Sequence, residues 1–262
     1  MNFSLAVKYL NYILFSRHGR GHGIHSPFVF NLVSSVFRKK VDPATRLKVE
    51  QVRKKMIFDT RSILVRDLGS RSDLLKTSLR KVSEIARKSP VPGKYGKLLA
   101  NMAVEFGTPS IIELGTSLGI STMYMAASCP DAKVWTIEGC QSIAEIAQQN
   151  FTDAALNNIR ILEGPFEEIL PCLLISGVKP GLVFIDGNHR KEPLINYFNQ
   201  ITEYSDCNTA IIIDDINYSK EMSDAWNEIK LHKKVSVSID IFRMGILFFR
   251  EGINHNHYII RY

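Results

Sequence analysis

Cysteine is scarce in this sequence, and its four cysteines (Cys129, Cys140, Cys172 and Cys207) lie far apart with no Cys-x-x-Cys pair. Scattered cysteines of this kind are typical of reduced core residues, which indicates a reducing cytoplasm. Long apolar runs are also missing, since none reaches the roughly 18 residues of a membrane span. The first residues lack the basic n-region and the Ala-x-Ala site of a signal peptide. We therefore expect a cytoplasmic protein without a transmembrane segment.

Acidic residues are few in the first part of the chain. Residues 1–100 hold 21 Lys and Arg against 6 Asp and Glu, a charge of +15, whereas residues 101–262 hold 12 against 20, a charge of −8. Such asymmetry predicts two regions with different roles, the basic one facing something anionic. The stretch Ser89-Pro90-Val91-Pro92-Gly93 marks a boundary. We expect a basic, mainly helical cap region over residues 1–92 and a second domain over residues 93–262.

The N-terminal residues are predicted to form a largely apolar helix over residues 1–15 that packs against the body of the protein. Contact of residues 1–20 with a membrane surface is the alternative. Residues 17–27 form a Gly/His-rich loop without Cys or acidic companions. We interpret that loop as a substrate-lining segment or a linker rather than a metal site.

Two further helices of the basic region have clear starting signals, because Ser26-Pro27 and Asp42-Pro43 each match an N-cap followed by the first helical position. Residues 63–70 look like a degenerate strand and glycine loop, but no sheet partners flank them. We expect a helix to follow them through Lys88.

From residue 110 onwards, strands and helices alternate, which is typical of a parallel α/β sheet. The predicted strands cover residues 110–115, 133–138, 159–163, 182–186 and 209–214. The predicted helices cover residues 120–128, 141–155, 166–175, 190–203 and 219–231. Residues 235–241 and 245–250 are predicted to form an antiparallel pair at the end. The pattern indicates an α/β fold with five parallel strands and a C-terminal antiparallel hairpin.

The first of these strands runs into a turn with two glycines four residues apart, Gly115 and Gly119, and then into a helix. Glycines let the backbone approach a ligand, and the N–H groups of a helix N-terminus face it. A dinucleotide turn needs Gly-x-Gly-x-x-Gly, but Ser117 stands where the middle glycine would be. The stretch from Glu113 to Ser121, Glu-Leu-Gly-Thr-Ser-Leu-Gly-Ile-Ser, closely resembles the S-adenosylmethionine (SAM) loop of class I methyltransferases. Within that class it is most similar to metal-dependent small-molecule O-methyltransferases of the catechol, caffeoyl-CoA and macrolide-sugar types.

The resemblance implies a Rossmann-like sheet capped by N-terminal helices, and it implies which residues bind SAM. Glu113 would serve the methionine end of SAM. The turn after the third strand would border the adenine. The SAM-binding residues implied in these two segments are Glu113, Gly115, Thr116, Ser117, Gly119, Ser121, Gly164 and Phe166.

The second strand of the sheet ends in an acid, Glu138, which follows Gly119 by 19 residues. An acid in that position can accept hydrogen bonds from both ribose hydroxyls, a role that dinucleotide folds and SAM folds share. Glu138 therefore predicts an adenosine-containing cofactor without distinguishing between the two.

Three carboxylates follow the fourth and fifth strands. Asp186 ends one apolar run, and Asp214 and Asp215 end the next. Ligands in open α/β sheets lie outside the carboxyl ends of the strands, where clustered acids repel one another unless a cation or a proton intervenes. Oxygen ligands suit Mg²⁺, Mn²⁺ or Ca²⁺ rather than zinc. The resembled family uses three such acids as metal ligands, so the likeness implies a site for Mg²⁺ or Mn²⁺ here.

The segment Asp186-Gly187-Asn188-His189 is similar to the Asp-Gly-x-His signature of the sugar-modifying branch of that family. The catechol branch has a lysine at the position of His189. Histidine can take a hydroxyl proton near neutral pH. We therefore predict Asp186 and His189 as catalytic residues.

Together these patterns predict a SAM-dependent methyltransferase that uses a divalent cation to methylate an oxygen of a small or sugar-like acceptor. The basic region suggests that the acceptor is anionic. Two alternatives stay open: an RNA or DNA methyltransferase that uses the basic region, and a non-catalytic SAM-binding module. Aromatic residues do not interleave with the basic ones, so the nucleic-acid signal is weak. Whether the chain forms a homo-oligomer is also open.

Overall fold

The structure is a computed structural model that describes residues 3–16, 24–67, 76–88, 91–253 and 255–262. Part of the Gly/His-rich loop, residues 17–23, and the glycine-loop segment of residues 68–70 lie outside the described residues. Within the described ranges, no helix is long and apolar enough to cross a membrane.

The helices and strands follow the sequence pattern closely from residue 93 onwards. The helices are α1 (Phe3–Phe15), α2 (Pro27–Asn31, continued by a π-helical turn over Leu32–Val36), α3 (Pro43–Ile57), α4 (Val82–Lys88), α5 (Gly93–Phe106), α6 (Ile120–Ser128), α7 (Gln141–Asp153), α8 (Phe166–Ile175), α9 (Lys191–Glu203) and α10 (Lys220–Ile229). The strands are β1 (Ser62–Asp67), β2 (Lys76–Lys81), β3 (Ser110–Leu114), β4 (Lys133–Glu138), β5 (Ile159–Glu163), β6 (Pro180–Ile185), β7 (Ala210–Ile213), β8 (Val237–Asp240), β9 (Gly245–Phe248) and β10 (Asn256–Ile259).

The chain divides into two compact units. One comprises Met1–Lys39 and Val183–Tyr262, and the other comprises Lys40–Leu182. The domain boundary at residue 92 stays a prediction.

In the unit of residues 40–182, β3, β4 and β5 lie side by side and parallel. β3 is buried along its whole length, as expected for a short apolar run in a parallel sheet. Helices α3, α4, α6 and α7 contribute to one buried cluster that includes Met56, Met123, Tyr124 and Phe151.

In the unit of residues 1–39 and 183–262, the strand order is β10-β8-β9-β7-β6. β9 is antiparallel to both β7 and β8, while β10 is parallel to β8. The mainly parallel α/β sheet with an antiparallel C-terminal pair is therefore confirmed. The sequence analysis missed β10, which lies at the edge of the sheet with Asn256 and His257 exposed, so it has no continuous apolar run.

The predicted helix starts are confirmed. The Ser26 hydroxyl accepts a hydrogen bond from the N–H of Val29, and the Asp42 carboxylate accepts one from the N–H of Thr45 at 2.9 Å. A proline follows each cap, where its fixed φ suits the first helical turn and its missing N–H costs nothing.

One prediction in the basic region was wrong. β1 has an antiparallel partner, β2, in the segment that was expected to be helical, and α4 begins only at Val82. Two strands alone are marginal in water, so this hairpin depends on other contacts. Ser142 donates a hydrogen bond to the carbonyl of Leu64 at 2.5 Å, and Arg66 donates its N–H to the sulfur of Cys140 at 3.3 Å. These polar contacts leave no apolar pattern in the sequence.

Helix α1 packs within its own unit through its aromatic face. Tyr12 is buried, and its hydroxyl donates to the carbonyl of Ile260 at 2.7 Å. Helix α1 also exposes Leu10, Leu14 and Phe15.

Candidate functional site

The glycine turn between β3 and α6 has a backbone that requires its glycines. Gly115 and Gly119 have φ values of 101° and 82°, in the region that favours glycine. A Cβ on Gly119 would lie 2.3 Å from Cε1 of Phe151, so no side chain fits there. Ser117 adopts a φ of 47° without being glycine, and such backbone strain is common at functional sites. The N–H groups of Gly115, Thr116 and Gly119 are bonded within the chain, so the turn offers a ligand its close backbone and the first turn of α6.

Glu113 lies directly under this turn and is completely buried. One of its carboxylate oxygens accepts hydrogen bonds from the hydroxyls of Thr122 and Thr136, the latter at 2.7 Å. Its other oxygen, Oε1, is buried without a hydrogen-bond partner in the described part of the chain. Burial raises the pKa of Glu113 to about 7, while the hydroxyls of Ser121, Thr122 and Thr136 act in the opposite direction.

Glu138, at the end of β4, holds the turn from the other side. Its Oε2 accepts the N–H of Ser117 at 2.9 Å, and its Oε1 accepts the N–H of Cys140 at 3.0 Å. Burial raises its pKa, and these backbone hydrogen bonds oppose the rise. Each carboxylate oxygen has a second lone pair, so Glu138 can bind the turn and still accept from a ribose hydroxyl.

Replacing Glu138 by alanine should weaken SAM binding by about 1–3 kcal/mol, because Glu138 accepts from the turn and is predicted to accept from the ribose hydroxyls as well. Isothermal titration calorimetry on the variant and on wild type measures this difference. Glu145→Ala, which removes an exposed acid from α7, is the matched control and should leave the affinity unchanged. An unchanged affinity in Glu138→Ala would show that Glu138 does not contact the cofactor.

The remaining predicted SAM residues lie beside these two acids. Thr116 is buried, with its hydroxyl 2.6 Å from that of Thr136. Gly164 has a φ of 142° and donates its N–H to the carbonyl of Glu138 at 3.0 Å. Phe166 is half-buried at the first position of α8. Through Ser117 and Gly164, the structure therefore brings the SAM loop and the turn after β5 together at Glu138.

Sequence reasoning missed the residues that support this turn. Thr136 lies opposite Glu113 in the register of β3 and β4, so strand pairing would have identified it. Asn150 of α7 is buried and donates to the carbonyl of Leu118 at 3.0 Å. Its contact comes from tertiary packing and leaves no signal in the local sequence.

The acids of the other unit lie at the ends of β6 and β7, as predicted. The N–H of Asp214 donates to the carbonyl of Ile185 at 2.9 Å, so the two strands end side by side. Asp214 is completely buried, whereas Asp186 and Asp215 are half-buried. Asp215 has a φ of 53°, a second strained position among the candidate residues.

The positive charge among these acids comes from Arg243, in the turn between β8 and β9. Its Nε donates to Asp214 Oδ1 at 2.8 Å, and its Nη2 donates to Asp214 Oδ2 at 2.6 Å. Nη2 also lies 3.6 Å from Asp215 Oδ1. Burial raises the pKa of Asp214, and the guanidinium works against that rise. Burial lowers the pKa of Arg243, but its hydrogen bonds to Asp214 and the nearby Asp215 and Asp186 charges raise it, and the net direction is upward.

This arrangement does not fit the predicted divalent cation. A metal ion would need Asp186, Asp214 and Asp215 as oxygen ligands, yet both oxygens of Asp214 already bind Arg243. Among the described residues, no group of three or more His, Cys, Asp or Glu side chains is placed to hold a metal ion. The sequence analysis missed Arg243 because it follows Asp214 by 29 residues and belongs to no motif.

His189 lies in the loop after β6 and is half-buried. Its ring centroid is 5.7 Å from that of Tyr218. The preceding residue, Asn188, has a φ of 51° and donates from its side chain to the hydroxyl of Tyr197 at 3.0 Å. That hydrogen bond fixes the loop that carries His189.

Comparison with known proteins agrees with this geometry. Residues 112–216 match a family model described as a methyltransferase domain. A catechol O-methyltransferase from Niastella koreensis is 32% identical over 168 residues, covering 61% of this chain and 74% of that protein. A catechol O-methyltransferase from Mycobacterium tuberculosis is 29% identical over 128 residues, covering 48% of this chain and 56% of that protein.

Solved structures show the same fold. An O-methyltransferase from Bacillus cereus in complex with SAH is 21% identical with a TM-score of 0.57, covering 84% of this chain and 97% of that one. An O-methyltransferase from Streptomyces achromogenes in complex with SAM is 20% identical with a TM-score of 0.56, covering 85% and 96%. Because the Niastella koreensis relative is 32% identical over 74% of its length, the chain belongs to the class I SAM-dependent O-methyltransferases.

Proposed function

We propose that this enzyme transfers the methyl group of SAM to a hydroxyl oxygen of a small catechol-like or sugar-like acceptor in the cytoplasm. The observation that carries the proposal is the arrangement of Glu113 and Glu138 beside the glycine turn. Glu113 accepts from Thr122 and Thr136 on the elements that flank the turn, and Glu138 accepts the N–H of Ser117 within it. The names of the catechol O-methyltransferase relatives support the acceptor class.

The residues of the glycine turn suit SAM as the methyl donor. The unpartnered, buried Oε1 of Glu113 leaves an acceptor for a donor group at the methionine end. The lone pairs of Glu138 that the turn does not use suit the ribose hydroxyls. When bound, SAM supplies an electrophilic methyl group, and the electron pair of the broken C–S bond stays on sulfur. The chain contributes position, which supplies much of the rate of such a transfer.

His189 and Asp186 are proposed to act on the acceptor. The acceptor hydroxyl gives its proton to the imidazole of His189, and the oxygen keeps the electron pair that forms the new C–O bond. Asp186 would orient the acceptor hydroxyl or the protonated imidazole, since Asp186 and His189 both lie in the loop that follows β6.

Replacing His189 by alanine should lower kcat by about 100-fold, as expected when a general base is lost, and leave the affinity for SAM unchanged. Added imidazole should restore part of the activity of His189→Ala, because a free base can occupy the space of the missing ring. Steady-state kinetics with catechol as the acceptor provides both readouts. Full activity in His189→Ala would assign the proton transfer to another group or to water.

The cap region of residues 1–92 is proposed to recruit an anionic acceptor. Charge steering acts mainly on association and is screened over about 8 Å at physiological salt. Raising the salt concentration should therefore raise the KM for 3,4-dihydroxybenzoate, which is anionic, more than the KM for neutral catechol. If salt changes the KM of both acceptors equally, the basic region does not recruit the anionic acceptor.

The acceptor class is tested by incubating the enzyme with isotope-labelled SAM and a panel of catechol, 3,4-dihydroxybenzoate, a small-metabolite extract and RNA. We expect an O-methylated small molecule, identified by mass spectrometry. Label in RNA alone would favour the nucleic-acid alternative, and SAM binding without any labelled product would favour a non-catalytic module.

A further inference from the structure

The most informative departure from the sequence expectations is the guanidinium of Arg243. It forms a bidentate ion pair with Asp214, in which Nε donates at 2.8 Å and Nη2 donates at 2.6 Å. Nη2 also lies 3.6 Å from Oδ1 of Asp215. Asp186 also acts on it electrostatically. Two of the three acids predicted to hold a divalent cation, Asp214 and Asp215, therefore lie against the guanidinium of Arg243, and the charge of Asp186 also acts on it.

The turn that carries Arg243 is itself fixed. The N–H of Phe242 donates to Asp240 Oδ1 at 2.6 Å, and its carbonyl accepts from the side chain of Asn217 at 2.7 Å. The carbonyl of Arg243 accepts the N–H of Ile216 at 3.0 Å. Phe242 holds a φ of 72°, a strained conformation that these bonds maintain.

Helix α1, which belongs to the same unit, packs against the turn that carries Arg243. The ring of Tyr9 meets the ring of Phe242 edge-on at 4.9 Å, and the ring of Tyr12 lies at 5.3 Å. Aromatic contacts of this geometry add stability beyond the area they bury. Arg243 is thus held at its backbone by hydrogen bonds and ring packing and at its guanidinium by Asp214.

Binding of a divalent cation would require this ion pair to break. Asp214 is completely buried, so an ion there would have to replace both Arg243 hydrogen bonds and then lie beside a displaced guanidinium of like charge. A quarter of the Arg243 side chain is exposed. An acceptor oxygen that reaches the guanidinium would have to approach through this exposed part of the side chain.

We propose that Arg243 takes the place of the divalent cation and is a catalytic residue for a metal-independent methyl transfer, a role that rests on the function proposed above. Its guanidinium donates a hydrogen bond to the acceptor oxygen and offsets the negative charge that develops as the hydroxyl loses its proton to His189. The guanidinium keeps all its protons throughout, so it supplies charge and orientation and no proton. Asp214 acts as a positioning residue that holds the guanidinium in place.

The proposal is tested by titrating chelator-treated protein with Mn²⁺ and following free Mn²⁺ by electron paramagnetic resonance. Wild type should not bind Mn²⁺ in the micromolar range. Arg243→Met frees the three acids and should bind Mn²⁺ about tenfold or more tightly than wild type, because clustered carboxylates favour a cation. Adding Asp214→Asn to Arg243→Met should remove that binding. Arg261→Met, at an exposed arginine of the same unit, is the matched control and should behave as wild type.

Micromolar Mn²⁺ binding by wild type that disappears in Asp214→Asn would overturn the proposal, since the acids would then be metal ligands. A folded Arg243→Met that gains no Mn²⁺ affinity would also overturn it. Should Arg243→Met fail to fold, the wild-type titration decides by itself. The titration needs neither SAM nor an acceptor, so its outcome is separate from that of the labelled-product assay.

A kinetic readout supports the same test. With catechol as the acceptor, EDTA should leave the kcat of wild type unchanged, and Arg243→Lys should lower it by about tenfold or more while keeping SAM affinity, because lysine offers a point charge in place of the planar fork. Loss of activity in EDTA with recovery in Mg²⁺ would contradict metal independence.

Discussion

Arg243→Met is expected to lower the free energy of unfolding by about 3 kcal/mol at pH 8. Breaking a buried ion pair by removing one partner leaves an uncompensated charge, here the carboxylate of Asp214, and typically costs about 3–5 kcal/mol. The lower end of that range applies because Arg243 keeps a quarter of its side chain exposed to solvent, where part of its attraction is screened.

The loss should shrink as the pH falls. Burial already raises the pKa of Asp214, and removing Arg243 raises it further. An acid whose pKa is raised on folding contributes stability below its unfolded pKa and loses it as pH rises through the folded pKa. Urea unfolding of both proteins at pH 5 and pH 8 measures the difference, and Asp214→Asn combined with Arg243→Met should recover much of the loss. A destabilisation that is the same at both pH values would show that the protonation of Asp214 does not depend on its ion pair with Arg243.

Between pH 4.5 and pH 7, ionisation of Glu113 is expected to lower the free energy of unfolding of wild type by about 3 kcal/mol. Glu113→Gln is expected not to show this decrease. Burial raises the pKa of Glu113 from 4.5 to about 7, and a tenfold change in a proton-binding constant corresponds to about 1.4 kcal/mol. Because the folded state retains the proton longer than the unfolded state, the contribution of Glu113 is fully present below pH 4.5 and is lost as pH rises through about 7. Glutamine stays neutral throughout and should not show this loss.

The measurement is the difference between the unfolding free energies of wild type and Glu113→Gln at half-unit intervals from pH 4.5 to pH 8. Taking the difference cancels the contributions of other acids. Glu105→Gln, at an exposed acid of α5, is the control and should give a flat difference. A flat difference for Glu113→Gln as well would show that Glu113 is ionised in the fold, with Thr122 and Thr136 offsetting its burial.

Much of the sheet could be predicted from sequence because its strands have strong local signals. The runs Leu182–Ile185 and Ala210–Ile213 are entirely buried, so their apolar character is continuous. The hairpin of β1 and β2 could not be predicted, because Leu64 and Leu79 are exposed and, besides the buried Val65, polar contacts to the start of α7 hold the strands.

The candidate site divides in the same way. Glu113, the turn glycines and the acids at the strand ends belong to short contiguous motifs, and the structure places them at the ends of the strands as predicted. Arg243 reaches Asp214 from a distant turn, and Asn150 reaches the glycine turn from a helix face. Their partners are set by tertiary packing, which the order of residues does not reveal. The sequence therefore suggested a metal ion at acids that Arg243 binds in the structure.

Calorimetry with S-adenosylhomocysteine and NAD tests most directly the claim that the glycine turn binds SAM. The two ligands share adenosine but differ in the group that would lie beside Glu113 and Ser117. We predict that wild type binds S-adenosylhomocysteine and SAM and that it shows no binding of NAD. Binding of NAD in preference to S-adenosylhomocysteine would contradict the assignment of this turn and, with it, the methyl-transfer function.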